Sequence, residues 1–220
     1  MLHLAGFFPE DVAWRHEAAP FAKAGLFPEE RAYVAAAAPF RQAEFATARR
    51  CARDALAELG APPVAIRSGH GRQPIWPHGF VGSISHSSEY CLAAAARQAD
   101  GYRSIGVDIE ARDALDPDLL ETVCSSSELR RIRGQELEVG VAAKLIFSAK
   151  EAIFKCQFPL NGVWLDFLEV EIELHMASDR FDATLLRDAG SLPKGLRLPG
   201  RIRFLDDQLV SAVILRREAP

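Results

Sequence analysis

The segment SIGVDIEARD, residues 104–113, constrains the fold of this 220-residue chain more than any other. Ile105, Val107 and Ile109 alternate with small or acidic residues, and this period of two predicts a β-strand. Asp108 and Glu110 are two residues apart, so their side chains project from one face of such a strand. Carboxylates that close repel each other and raise each other's pKa. A nearby positive charge would make the pair tolerable.

Composition limits the classes of protein to consider. Nearly half of the residues are apolar and the net charge is −4, which predicts a substantial core and argues against nucleic-acid binding. The N-terminus has no basic region typical of a secretory signal, and no apolar run reaches the ~18 residues of a membrane span. We expect a soluble cytoplasmic protein. Its four cysteines are widely spaced and form no CxxC pair, which indicates reduced thiols in the core more than zinc ligands. They are Cys51, Cys91, Cys124 and Cys156.

Helical and strand-like patterns occur in roughly two rounds, with a change near Asp108, which predicts an α/β fold. The first helical region covers residues 28–60, with an interruption near Pro39 and a stop at Gly60. Residues 61–90 are rich in Gly, Pro and Ser and predict loops around short strands. Residues 90–96 and 102–110 predict two strands that could form a hairpin. Two short helices, a helix over residues 138–156 and four C-terminal strands complete the prediction.

The segment LIFSAKEAIFKC, residues 145–156, places Glu151 on a partly apolar helix face. A capping box of Ser148 and Glu151 is one interpretation, weakened because the helical pattern starts earlier. An exposed Glu151–Lys155 pair, worth ~0.3–0.5 kcal/mol, is another. Asp108 and Glu110 could likewise be solvated acids at a strand end. If Glu151 joins them, three hard oxygen ligands would suit Mg²⁺ and leave a coordination position for a phosphate.

Two further segments could bind anions. In GRQPIWPHGFVGSISHSSEY, residues 71–90, the glycines permit tight turns, the serines offer hydroxyl donors, and Arg72 and His86 can supply positive charge. The segment does not match the G-x-S-x-G elbow of serine hydrolases. The segment RQAEFATARRCARDAL, residues 41–56, holds four arginines suited to phosphate binding: Arg41, Arg49, Arg50 and Arg53. An ordinary loop and a solvated helix face are the alternatives. Taken together, the segments favour a substrate with several phosphates, such as a nucleotide-type cofactor.

The motifs WPHGFVGSISHS, IGVDIE and FSAKEAIFK, in this order and spacing, resemble the 4'-phosphopantetheinyl transferases. The similarity is to the long, pseudo-dimeric type represented by Sfp and the enterobactin synthetase component D. EFATARRCARDAL also resembles the EF-x-x-GR-x-x-A-x-x-AL pattern of that subfamily, except that Ala48 stands where glycine is common. The resemblance spans residues 41–156.

The resemblance implies a pseudo-dimer of two similar α/β halves with the cofactor in the cleft between them. Residues 1–107 would form the N-terminal half with the phosphate-binding loops, and residues 108–220 the C-terminal half with the metal site. The implied reaction transfers 4'-phosphopantetheine from coenzyme A, with Mg²⁺, to a serine of an apo acyl or peptidyl carrier protein. Adenosine 3',5'-bisphosphate is released. The implied protein is a monomer, and nonribosomal peptide or siderophore synthesis is the implied setting.

The resemblance also implies roles for individual residues. The implied metal ligands are Asp108, Glu110 and Glu151. The implied cofactor-binding residues are Arg49, Arg72, Ser85, His86, Lys150 and Lys155. Glu151 would remove the proton of the carrier serine and Lys155 would assist the leaving group, so both are predicted to be catalytic.

Two other functions use the same residues. A Mg²⁺-dependent phosphohydrolase would use the three acids with water as nucleophile, and a non-catalytic coenzyme A-binding module would bind without turnover. The sequence does not identify the surface that would bind the carrier protein. The run after Asp118 is a candidate by position, and ordinary helix packing explains it equally well. The residues of that run are Leu119, Leu120, Leu129, Arg130 and Arg131.

Overall fold

The computed structural model describes residues 2–134 and 136–217. Its α-helices are α1 (Pro28–Val34), α2 (Pro39–Glu58), α3 (Leu120–Val123), α4 (Ser126–Ile132) and α5 (Val139–Asn161). Its strands are β1 (Ala13–Ala18), β2 (Phe80–His86), β3 (Tyr90–Arg97), β4 (Tyr102–Ala111), β5 (Val170–His175), β6 (Arg180–Leu185), β7 (Arg197–Leu205) and β8 (Gln208–Arg216). Within the described residues, no helix is long and apolar enough to cross a membrane.

The N-terminal half packs α2 on an antiparallel sheet of order β1-β3-β2. Pro39 occupies the first turn of α2, where its fixed φ suits a helix start, and Gly60 follows the helix with φ +78°. Ala52 and Ala55 are fully buried in one cluster with Ala93 and Ala95 of β3. Because both surfaces carry small side chains, the helix and the sheet can lie close together.

The C-terminal half packs α5 on an antiparallel sheet of order β4-β8-β7-β6-β5. Gly106 of β4 allows this contact, since a Cβ there would lie 1.9 Å from the carbonyl oxygen of Ala152 on α5. The helix therefore rests directly on the strand that contains Asp108. Two long hydrophobic clusters lie on the two faces of this sheet.

The two halves meet where β2 runs beside β4. The backbone N–H of Val107 donates to Ser83 Oγ at 3.0 Å, and that of Ile109 donates to Ser85 Oγ at 3.3 Å. Serine hydroxyls thus satisfy the outer edge of β4, which would otherwise expose unpaired donors. Asp108 lies between these two contacts along the strand.

The α/β class is confirmed, and each half is a long helix on an antiparallel sheet, with three strands in one and five in the other. The predicted hairpin of residues 90–96 with 102–110 is wrong. β3 pairs with β1 and β2, while β4 pairs with β8. Cys91–Ala96 are all fully buried, so β3 needs a neighbouring strand on both edges.

Two predicted bounds differ from the elements of the structure. The predicted boundary between residues 107 and 108 falls inside β4, because the chain changes sheet earlier, in the short turn at Gln98–Gly101. Residues 80–86, within the region predicted to be loops around short strands, form the strand β2. The helix predicted to end at Cys156 continues to Asn161 and stops at Gly162, which has a left-handed φ of +67°.

Candidate active site

Asp108 lies at the centre of the junction between the two halves. Its side chain is 2 % exposed. Oδ1 accepts hydrogen bonds from Lys155 Nζ at 2.6 Å and from Ser85 Oγ at 2.9 Å. Oδ2 is buried and has no hydrogen-bond partner within the described residues. A buried acceptor normally has a partner, so this oxygen marks a place suited to a further positive group.

The helix α5 presents Lys155 and Glu151 one turn apart on the face that covers β4. Lys155 Nζ also donates to Ser85 Oγ at 2.9 Å, so one ammonium links β2, β4 and α5. Burial alone would lower the pKa of Lys155, but the charges of Asp108 and Glu151 and the hydrogen bond to Asp108 outweigh it and raise that pKa. Lys155 is therefore firmly cationic at neutral pH.

Glu110 and Glu151 are half-buried carboxylates near the same ammonium. Burial, followed by the charge of Asp108, raises the pKa of Glu110 to about 7, although Lys144 Nζ lies 3.4 Å from Oε2 and opposes the shift. Burial also raises the pKa of Glu151; Lys155 opposes this and Asp108 adds to it. The anionic forms of Glu110 and Glu151 are therefore less stable than those of carboxylates exposed on the surface.

The donor set fits a divalent cation in its chemistry. Carboxylate oxygens are the ligands that Mg²⁺ prefers, and one of the three carboxylates has a buried oxygen that no described residue contacts by a hydrogen bond. Within residues 2–134 and 136–217, however, no three His, Cys, Asp or Glu side chains are close enough together to hold a metal ion. Instead, the negative charges of Asp108, Glu151 and Glu110 all act on the Lys155 ammonium. Metal ligation by these acids stays a prediction.

Ser85 and His86 lie next to each other on β2 but in different environments. Ser85 is buried, and its hydroxyl contacts Asp108, Lys155 and the Ile109 N–H. Its position makes it a support for the acid and the lysine; a contact with a cofactor phosphate stays a prediction. His86 is 36 % exposed, with Nδ1 2.9 Å from Glu44 Oε1.

A cavity of about 400 Å³ in the N-terminal half is lined by three arginines among mostly apolar side chains. Arg49 is held there: Nε donates to the carbonyl of Ile66 at 2.8 Å, and Nη2 donates to Ser68 Oγ at 3.0 Å. Burial lowers the pKa of Arg49 to about 10, which leaves it charged at neutral pH. Arg41 and Arg72 complete the positive wall, and His86 lines the same cavity.

A second cavity of about 190 Å³ adjoins the first, because Arg72 lines both. Its wall includes Glu151 and Lys155 of α5 and Ser83 of β2. One cleft therefore leads from the arginines of the N-terminal half to the acids and lysine at the junction. The structure brings together seven predicted site residues along it or at its base: Arg49, Arg72, Ser85, His86, Asp108, Glu151 and Lys155.

The Lys150 ammonium lies away from this cleft, and its role in binding the cofactor stays a prediction. Its side chain is 1 % exposed, and Nζ donates to Glu128 Oε2 at 2.7 Å and to the carbonyl of Val123 at 2.8 Å. Since Glu128 belongs to α4, Lys150 joins two helices of the C-terminal half. The physical reason is that positions 150 and 155 face different sides of α5.

The predicted arginine patch is also divided. Arg50 pairs with Glu17 of β1, and Arg53 pairs with Glu30 of α1 at 2.6 Å. These two arginines are engaged in ion pairs that join elements of the N-terminal half. Arg41 and Arg49 are the members that face the cavity.

Sequence reasoning missed Glu44 and Lys144 as neighbours of the site. Glu44 contacts His86 and also pairs with Arg41 three residues earlier on α2. The Arg41-x-x-Glu44 spacing was a usable signal, since residues three apart share a helix face. Lys144 precedes Glu151 by two helical turns, which places both on the same side of α5.

A two-lobed α/β protein with this cleft has the features of an enzyme for phosphorylated substrates. The model of the 4'-phosphopantetheinyl transferase N-terminal domain matches residues 29–96, and that of the 4'-phosphopantetheinyl transferase superfamily matches residues 104–194. The gap between them coincides with the turn between β3 and β4. The chain belongs to the 4'-phosphopantetheinyl transferase family.

Relatives support this assignment. The chain is 43% identical over 165 residues to 4'-phosphopantetheinyl transferase Svp of Streptomyces mobaraensis, covering 71% of this chain and 64% of Svp, slightly under two thirds. It is 35% identical over 182 residues to 4'-phosphopantetheinyl transferase PptT of Mycobacterium tuberculosis, covering 78% of each. It is also 34% identical over 127 residues to enterobactin synthase component D of Escherichia coli K12, covering 56% of this chain and 59% of that protein.

Proposed function

We propose that this protein transfers the 4'-phosphopantetheine group of coenzyme A to a serine of an apo acyl or peptidyl carrier protein. Adenosine 3',5'-bisphosphate would be the second product. The observation that carries the proposal is the junction cluster: Asp108 is hydrogen-bonded to Lys155, lies next to Glu151 and has one oxygen without a partner among the described residues. This cluster lies at the base of a cleft whose other end is lined by arginines.

The cleft accounts for binding of the cofactor phosphates. Arg49 is fixed by two hydrogen bonds and lies over the Phe45 ring, with its Cζ 4.2 Å from the ring centroid. A guanidinium held this way loses little freedom on binding a phosphate. Arg72 lies where the two cavities meet and suits the pyrophosphate, while Arg41 and His86 suit a phosphate in the larger cavity.

The junction cluster accounts for the chemistry. Glu151, directly or through a water molecule, accepts the proton of the carrier serine as its oxygen attacks the phosphorus; its raised pKa improves it as a base at neutral pH. Lys155, held by Asp108 and Ser85, donates to the phosphate oxygens and stabilises the charge on the leaving bisphosphate. Mg²⁺ bound to Asp108, Glu110 and Glu151 would neutralise further negative charge on the pyrophosphate.

The partner in this proposal is an apo carrier protein, which the sequence motifs shared with the 4'-phosphopantetheinyl transferases imply. Enterobactin synthase component D points to siderophore synthesis as one candidate setting. One chain contains both halves of the cleft, which supports a monomer. The cytoplasm, where coenzyme A and apo carriers are available, is the proposed location.

The test is mass spectrometry of several apo carrier proteins incubated with the protein, coenzyme A and Mg²⁺. We expect a gain of one phosphopantetheine group, which is absent when the carrier serine is replaced by alanine. Release of phosphopantetheine without a carrier would favour the phosphohydrolase. Coenzyme A binding with no gain on any carrier, while a known transferase works, would favour a binding module and reject the proposal.

A further inference from the structure

Three side chains form a closed triangle in the wall of the larger cavity. Glu44 of α2 is nearly buried, with 7 % of its side chain exposed. One of its carboxylate oxygens lies 2.9 Å from His86 Nδ1, and the other pairs with Arg41. Arg41 Nη1 in turn lies 2.7 Å from His86 Nε2. Arg41 and His86 line the cavity, and Glu44 holds both from behind.

The triangle defines the protonation of His86. A guanidinium can only donate, so His86 Nε2 accepts from Arg41 and carries no proton. Nδ1 then carries the single ring proton and donates it to Glu44. His86 is a neutral imidazole in this arrangement, with the tautomer selected by its two partners.

We propose that Glu44 is a positioning residue that couples anion binding in this cavity to proton uptake by His86. A phosphate group entering the cavity attracts the Arg41 guanidinium and draws it from Nε2. His86 Nε2 then takes one proton from the solvent, keeps it, and donates a hydrogen bond to a phosphate oxygen, while Nδ1–H stays hydrogen-bonded to Glu44. No covalent bond other than N–H is made, and the buffer supplies the proton. The inference rests on the proposed function, since the anion is a phosphate of coenzyme A or of its product.

The charges around His86 agree with this coupling. Burial lowers the pKa of His86; Glu44 opposes this, while Arg41 and Lys155 lower it further and Asp108 opposes them. A phosphate would add negative charge beside Nε2 and offset the effect of Arg41. The same imidazole would then favour its charged form, with Glu44 stabilising the other ring nitrogen.

The experiment is calorimetric titration of adenosine 3',5'-bisphosphate into the whole protein near neutral pH, in buffers of different ionisation enthalpy. We expect the wild type to take up on the order of one more proton per ligand than Glu44→Gln does, because only the wild type stabilises the imidazolium. Glu44→Gln should also bind at least about tenfold more weakly. The phosphates of the ligand ionise in every titration and contribute equally.

Glu17→Gln is the matched control, since Glu17 pairs with Arg50 of the same helix α2 and does not line the cavity. It should leave affinity and proton uptake unchanged. His86→Gln should lose the extra proton as Glu44→Gln does, and Glu44→Asp should restore part of it. If Glu44→Gln does not fold, His86→Gln and Glu44→Asp decide the question.

Equal proton uptake by the wild type, Glu44→Gln and His86→Gln would overturn the inference, as would absence of bisphosphate binding to the wild type. The affinity of the wild type should fall as the pH rises above neutrality, and that of Glu44→Gln should change less. Proton-linked binding without carrier modification would reject the proposed function and support this inference. Carrier modification without the linkage would reject only this inference.

Discussion

Two lysines five residues apart on α5, Lys150 and Lys155, each pair with a buried carboxylate, and the two pairs are built differently. Lys150 donates a hydrogen bond to Glu128 Oε2. The second carboxylate oxygen of Glu128, Oε1, accepts from the Ile172 N–H at 2.7 Å. Lys155 bonds Asp108, whose other oxygen has no partner in the part of the chain that the structure describes. Both carboxylate oxygens of Glu128 thus have hydrogen-bond partners, whereas only one oxygen of Asp108 has partners among the described residues.

The difference shows what each pair contributes. Glu128 also accepts from the Ser125 N–H at 2.7 Å, so its pair connects α4, α5 and β5 with every strong acceptor used. A complete buried pair has nothing left to offer a ligand, and removing one member leaves a buried charge. The pair at Asp108 keeps one acceptor free and lies beside two further acids. We infer that the first pair supports the fold and the second serves the reaction.

The largest expected effect is on turnover. It should follow substitution of Glu151, which lies on the same face of α5 as Lys155. Glu151→Gln removes the proposed base and should lower carrier modification by about 10²–10⁴-fold. The free energy of unfolding should change by less than about 1 kcal/mol, because the amide has the same shape as the carboxylic acid. Steady-state rates and urea unfolding measure the two quantities. Glu173→Gln, on an exposed position of β5, is the control; wild-type turnover in Glu151→Gln would show that the base is misassigned.

The next effect contrasts the two lysines. Lys150→Met leaves Glu128 charged and buried, and should cost about 3–5 kcal/mol of stability that Mg²⁺ does not restore. Lys155→Met should cost less in the presence of Mg²⁺, because a cation that binds the folded state near Asp108 adds stability by mass action. Thermal unfolding with Mg²⁺ and with a chelator gives both numbers. If Mg²⁺ rescues Lys150→Met and fails to rescue Lys155→Met, the two pairs are assigned the wrong way round.

The smallest effect concerns Glu110 and depends on pH. Its folded-state pKa of about 7 exceeds the ordinary value of 4.5, so the folded protein binds more protons than the unfolded chain between these values. Stability without metal should therefore fall as the pH rises from 4.5 through 7. Glu110→Gln removes this loss and should be about 1–3 kcal/mol more stable than the wild type at pH 8, with little difference at pH 4.5. Urea unfolding in the presence of a chelator measures both stabilities. If the wild type were less stable than Glu110→Gln by the same amount at pH 4.5 and pH 8, the raised pKa of Glu110 would be contradicted.

Much of the site could be predicted because it depends on local spacing. The alternation around Asp108 defined β4, and the helical face of LIFSAKEAIFKC placed Glu151 and Lys155 together. Gly106 explains why both predictions meet in space: without a Cβ, β4 accepts α5 at contact distance.

The remaining features depend on partners that are distant in sequence. Lys150 and Lys155 occur in one motif, and no local pattern shows that Glu128 of a short helix would enclose the first. Residues 90–96 and 102–110 are close enough for a hairpin, but the full burial of β3 required partners from residues 13–18 and 80–86. Ser85 resembled a loop hydroxyl until β2 was seen beside β4.

The serine contacts between β2 and β4 have a mechanical consequence. A continuous backbone ladder between two strands either holds its register or slips by whole residues. A hydroxyl can instead turn about its Cα–Cβ bond and follow its donor over a fraction of an ångström. This joint therefore tolerates small differences in the spacing of β2 and β4 that a backbone ladder would not. Because the Ser85 hydroxyl also touches Lys155 and Asp108, each such difference is transmitted directly to the acid and its ammonium partner.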